Sequence, residues 1–179
     1  MNRFLFFLLL CLFACNSETK ETVTTQVSKV KDKEVSADVK DIELEVYDYE
    51  GLKPFLNADD GAVHIVNFWA TWCAPCIKEL PYFEKINSEY SNSNVKVLLV
   101  SLDFPKQYDA KLKPFIKKRD LQSKVVAFDD VDQNTWIPGI NKDWSGALPA
   151  TIIYKGDQRK FYEGSLTYEE LEQELKQFL

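Results

Sequence analysis

Apolar and polar positions along the chain change character near residue 41. From there Ile42, Leu44 and Val46 alternate with Glu43 and Glu45, the period of a half-buried strand. Leu52, Phe55 and Leu56 then suit one side of a short helix. Residues 62–69 are a nearly continuous apolar and aromatic run, as a central strand covered on both faces requires, and 95–102 repeats that pattern. Between them a helix is predicted to open at Cys73 and run to about Tyr90. A second helix is expected over 108–119, with Leu112, Phe115 and Ile116 on one side, and a third central strand over 124–128. Strands at 151–154 and 159–162 flank Lys155, Gly156 and Asp157 and read as a hairpin. Thr167, with Glu170 three residues on, has the spacing of a capping box that starts a closing helix. Strands alternating with helices, then a hairpin and a last helix, predict an α/β fold: a mixed sheet flanked by helices on both faces.

Upstream the chain reads differently. Arg3 followed by an uninterrupted apolar run over 4–14 has the form of an export signal, predicted over residues 1–14. The run stops at Cys15 and the polar Asn16, Ser17 and Glu18, short of the roughly 20 apolar residues that span a membrane. Residues 16–40 hold no aromatic residue and no periodicity, so 15–40 reads as a flexible linker, with a reach on the order of 25–30 Å. Residues 41–179 then form one domain with an N-terminal extension. A formal net charge of −6, without any basic stripe, argues against a nucleic-acid partner.

The cysteines carry the chemistry. Cys11 falls in the signal segment and Cys15 at its end, which leaves Cys73 and Cys76 as the domain's thiols. A bond between them closes too small a loop to constrain the unfolded chain much, so a structural staple explains them poorly. Zinc would need about four ligands, whereas the chain offers one cysteine pair and the single His64, which reads as a packed, hydrogen-bonded strand residue. Ile77 in place of histidine excludes covalent haem attachment. Neither a metal nor a cofactor is therefore expected.

The run Asn67, Phe68, Trp69, Ala70, Thr71, Trp72, Cys73, Ala74, Pro75, Cys76 resembles the thioredoxin superfamily, and Glu79 and Pro81 give it the look of the TlpA/ResA-like branch. The resemblance extends from about residue 41 to the end and implies a thioredoxin-like fold and thiol-disulfide exchange. A helix N-terminus favours a thiolate at Cys73, Pro75 suits the first turn, and Cys76 lies one turn on, so Cys73 is assigned as nucleophile and Cys76 as resolving thiol. By the same resemblance Glu79 is an active-site acid, in a chain where Asn67 stands at the position of thioredoxin's buried aspartate; the plainer reading is a solvated first-turn carboxylate. Gly146 to Thr151 resembles the family's cis-proline loop, which implies a cis bond before Pro149 and places Trp72, Pro75, Leu148 and Pro149 against substrate.

The likeness of Leu12, Phe13, Ala14 and Cys15 to a bacterial lipoprotein signal implies a lipid on Cys15 and a periplasm-facing domain anchored to an envelope membrane. The implied partners are disulfide-containing envelope proteins, apocytochrome c among them, and a membrane thiol carrier as electron donor. Ala74 and Pro75 carry no charge that would stabilise a thiolate, and potentials of about −270 mV for thioredoxin and −120 mV for the oxidant DsbA lie roughly 7 kcal/mol apart, so a reductant is favoured. A disulfide oxidase or isomerase is the alternative enzyme. A non-catalytic binding module is the other alternative, with Trp136, Ile137, Pro138, Gly139, Ile140 and Trp144 as an aromatic loop that either grips a partner or packs beneath its neighbours. A peroxiredoxin-like site would have threonine three residues before the reactive cysteine, where this chain has Ala70.

Overall fold

The computed structural model describes residues 42–179. The expected signal segment, the expected lipidation at Cys15 and the expected linker lie outside the described residues. In chain order the elements are β1 (Glu45–Tyr47), α1 (Tyr49–Leu56), β2 (Val63–Trp69), α2 (Ala74–Glu89), β3 (Val95–Ser101), α3 (Lys113–Arg119), β4 (Lys124–Phe128), α4 (Gln133–Ile140), β5 (Ala150–Lys155), β6 (Gln158–Glu163) and α5 (Tyr168–Leu175). They form one sheet of order β1-β4-β3-β2-β5-β6. The first four strands in that order run parallel, joined by crossovers, while β5 and β6 are antiparallel. The hairpin turns over Gly156, whose φ of +55° suits glycine.

Strand period explains how one sequence covers both faces. On β2, Val63, Ile65 and Trp69 point into a core with Leu80, Phe83 and Ile86 of α2, Ile116 of α3, and Leu171 and Leu175 of α5. Val66 and Phe68 point the other way, among Leu52 and Leu56 of α1, Trp136 and Ile140 of α4, and Trp144. The expected mixed sheet with helices on both faces is the observed architecture.

Three sequence readings change. The first strand pairs only over Glu45–Tyr47, at the sheet edge, and Val46 is exposed, although Ile42 and Leu44 still pack against the core. The helix expected over 108–119 opens with one wide π turn at Tyr108–Leu112 before α3. Pro114 has no N–H and would crowd a carbonyl one turn back in a regular α-helix, so the wide turn falls just ahead of it. The aromatic loop is instead largely the helix α4, with Trp136 and Trp144 both buried. Their indole N–H groups donate to Asp130 O and Ala147 O, and the two rings pack edge to face at 5.5 Å, so these tryptophans pack beneath the surface. His64 is hydrogen-bonded to Asp60 and stacked on Tyr154, as a packed histidine should be.

Candidate functional site

β2 ends at Trp69, and the chain turns over Ala70 to Trp72 before α2 begins. Cys73 is the N-cap of α2: its backbone is extended (φ −92°, ψ 97°) and its Sγ accepts the Cys76 N–H at 3.3 Å. A cap must be non-helical while the next residues are helical, and Pro75 in the first turn supplies a fixed helical φ where no N–H is needed. The two cysteines are joined in a disulfide, with Cα atoms 5.3 Å apart. Cys73 is 6% exposed and Cys76 0%. Only Cys73 can be reached from outside.

The turn is fixed by a buried carboxylate that sequence reasoning missed. Asp103, just past β3, accepts the Thr71 N–H at 2.9 Å, the Thr71 hydroxyl at 2.5 Å and the Ser101 hydroxyl at 2.8 Å. Parallel pairing of β2 with β3 sets Trp69 opposite Ser101, which is what brings these two strand ends together. No periodicity in the sequence marks Asp103 as buried.

β5 approaches from the other side. It runs antiparallel to β2 with Phe68 opposite Ala150, so Pro149 arrives where the cysteine turn departs. The Leu148–Pro149 peptide is cis. A cleft of about 610 Å³ opens here, lined by Trp72, Cys73, Pro75 and Leu148 together with Phe104 and Ile137. Among the described residues, none hydrogen-bonds to the backbone of Leu148. The predicted residues Trp72, Cys73, Pro75 and Leu148 therefore share one cleft, with Pro149 buried behind it.

Glu79 lies elsewhere. It is 1% exposed beneath α2, on the stripe Cys76, Glu79, Leu80, Phe83 and Ile86 that faces the sheet. Its Oε1 accepts from Asn67 Nδ2 at 2.9 Å, and its Oε2 accepts the Leu166 N–H at 3.0 Å. Asn67 Nδ2 also donates to Thr151 Oγ1 at 3.0 Å, the residue opposite it on β5. Burial pushes the Glu79 carboxyl up to about 7, against the two amide donors that pull it down. A small cavity of about 100 Å³, lined by Pro75, Lys78, Tyr82, Ser165 and Leu166 among others, reaches it. The solvated first-turn reading of Glu79 does not hold, since the helical spacing from Cys76 puts it on the apolar stripe. That spacing was legible; the partners Leu166 and Thr151 were not.

The AhpC/TSA family matches residues 27–159. The chain belongs to that family. Relatives of this chain include the thiol-disulfide oxidoreductase ResA of Bacillus thuringiensis subsp. konkukian, 29% identical over 177 residues that cover 98% of this chain and 96% of that one. The thioredoxin-like protein YneN of Bacillus subtilis is 31% identical over 128 residues, 70% of each chain. A solved thiol:disulfide interchange protein of the thioredoxin family from Chlorobium tepidum superposes with a TM-score of 0.56 at 17% identity, over 72% of this chain and 88% of that chain, which shows a shared fold. The present AhpC/TSA member is a thioredoxin-like thiol-disulfide oxidoreductase, and its Cys73–Cys76 pair fits the redox dithiol.

Proposed function

We propose that this protein reduces disulfides of envelope proteins, with Cys73 as nucleophile and Cys76 as resolving thiol. The observation that carries the reading is a disulfide whose one reachable sulfur caps a helix beside a cis-proline loop, while its partner is sealed beneath. In the reduced protein the Cys73 thiolate attacks a substrate disulfide, forming a mixed disulfide and expelling one substrate thiolate, which takes a proton. Cys76, as thiolate, then attacks Cys73 Sγ, expels the second substrate thiolate and closes the Cys73–Cys76 disulfide; two electrons have passed to the substrate. Burial disfavours a thiolate, so Cys76 needs a base as it attacks. Glu79, three residues on and titrating near neutrality, is suited to take that proton.

Leu148 and cis Pro149 support the substrate strand, and Trp72 and Pro75 line its path. A membrane thiol carrier returns the electrons, and apocytochrome c fits among the recipients. The signal-like residues 1–14 and Cys15 support a lipid-anchored, periplasm-facing protein. With Trp136 and Trp144 buried, a non-catalytic module has lost the surface that argued for it. A reduction potential above about −180 mV, the scale of protein disulfide isomerase, would favour the oxidase or isomerase instead.

Cys76→Ser in cells is the direct test. Cys73 should stay joined to substrates in reducible adducts that sediment with membranes, and the further change Cys15→Ala should release those adducts to the soluble fraction. An abundant Cys76→Ser protein with no adducts would remove the enzymatic reading, and sedimentation unaltered by Cys15→Ala would remove the anchor.

A further inference from the structure

Two large apolar side chains stand in solvent beside the nucleophile. Trp72 is 55% exposed and Phe104 62%, and their rings lie nearly parallel, 21° apart with centroids at 6.4 Å. Both are held from behind by the same buried carboxylate. Asp103 immediately precedes Phe104 and takes both the N–H and the hydroxyl of Thr71, which immediately precedes Trp72. The Phe104 carbonyl is tied to Gln107 N–H at 2.7 Å, so its backbone is fixed on the other side as well. Aromatic rings carried on a fixed backbone and left wet in the free protein are the pattern of binding anchors, because the backbone needs little further ordering on contact. The cleft they border runs from Cys73 to Leu148, and apart from Cys73 none of its lining residues is ionisable. A charged side chain entering it would lose water and meet no oppositely charged group in the lining.

We infer that Trp72 and Phe104 form a recognition pair that selects substrate disulfides flanked by an aromatic side chain and rejects those flanked by a charge. The occupant is an extended, uncharged segment of the substrate protein: its cysteine meets Cys73, and the neighbouring aromatic side chain lies on the two rings. Phe104 is thereby a specificity residue that the sequence motif does not contain. The inference rests on the proposed reductase reading.

Two peptides test it, each with one internal disulfide and identical except for Phe or Asp beside the attacked cysteine. The wild-type protein should reduce the Phe peptide with a kcat/KM about tenfold higher or more, the order of one buried aromatic contact. Phe104→Ala should bring the two peptides within about twofold, while Phe104→Tyr keeps the preference. Equal rates for the two peptides in the wild type, or an intact preference in Phe104→Ala, would overturn the inference. If the protein reduces neither peptide nor insulin, the reductase reading fails by itself. Calorimetric titration with serine-substituted versions of both peptides then decides: selective binding of the Phe peptide, lost in Phe104→Ala, upholds the pair, and equal or absent binding overturns it.

Discussion

A carboxyl group sealed beneath a helix, with one amide donor on each oxygen, is pulled in two directions. Burial favours the neutral acid, while the N–H of Leu166 and the amide of Asn67 favour the anion, and burial wins. The balance leaves Glu79 near 7, where a group can both accept and return a proton at neutral pH. Asn67 contributes by what it lacks: it donates to Glu79 and Thr151 but has no charge of its own, so Glu79 titrates without a second carboxylate beside it. Glu79→Gln keeps the shape and removes the proton. Its disulfide-reducing kcat is expected to fall by about 10²-fold, and the inflection near pH 7 in the wild-type pH–rate profile should vanish. A Glu79→Gln profile that keeps that inflection would assign the ionisation to another group.

At the scale of elements, α5 matters beyond its own packing. Thr167 Oγ1 accepts the Glu170 N–H, and Glu170 reaches back to the Thr167 N–H, so the capping box fixes the chain just after Leu166. Thr167→Ala should lower stability by about 1 kcal/mol in urea unfolding, the usual loss for such a cap. A change indistinguishable from zero would show the helix start to be held by Leu171 and Leu175 alone. This cap was legible because its chemistry is local, and the central strands and α2 were legible because burial on one or both faces writes a strong period. α4 was not, because Pro138 and Gly139 look like breakers. Both lie near the end of an eight-residue helix anchored by the burial of Trp136 and Ile140, and that tertiary contact outweighs the local signal. Asp103 and Phe104 escaped for a related reason: their roles depend on which strand ends meet, and the register of β2 on β3 is not written in either strand alone.

For the molecule as a whole, the buried acid makes stability depend on pH in a stated direction. In the unfolded chain Glu79 releases its proton near its ordinary 4.5, whereas in the folded protein it holds it to about 7. The unfolded state therefore loses this proton first as pH rises. The contribution to stability is fully present below about 4.5, declines through the interval to about 7, and is lost above it. The difference between the two values corresponds to about 3 kcal/mol across that window. Other carboxylates act the opposite way: Asp60, paired with Lys96 and His64, is held below the ordinary range, so raw stability curves mix both signs. Glu79→Gln separates them, because it removes one titration and leaves the rest. Subtracting its urea-unfolding free energies from those of the oxidised wild type, at pH 4.5 and at pH 8, should give a difference that moves against the wild type by about 3 kcal/mol as pH rises. Were the difference flat, Glu79 would titrate no higher in the folded protein than in the unfolded chain, and a proton acceptor for Cys76 poised near neutrality would lose its physical basis.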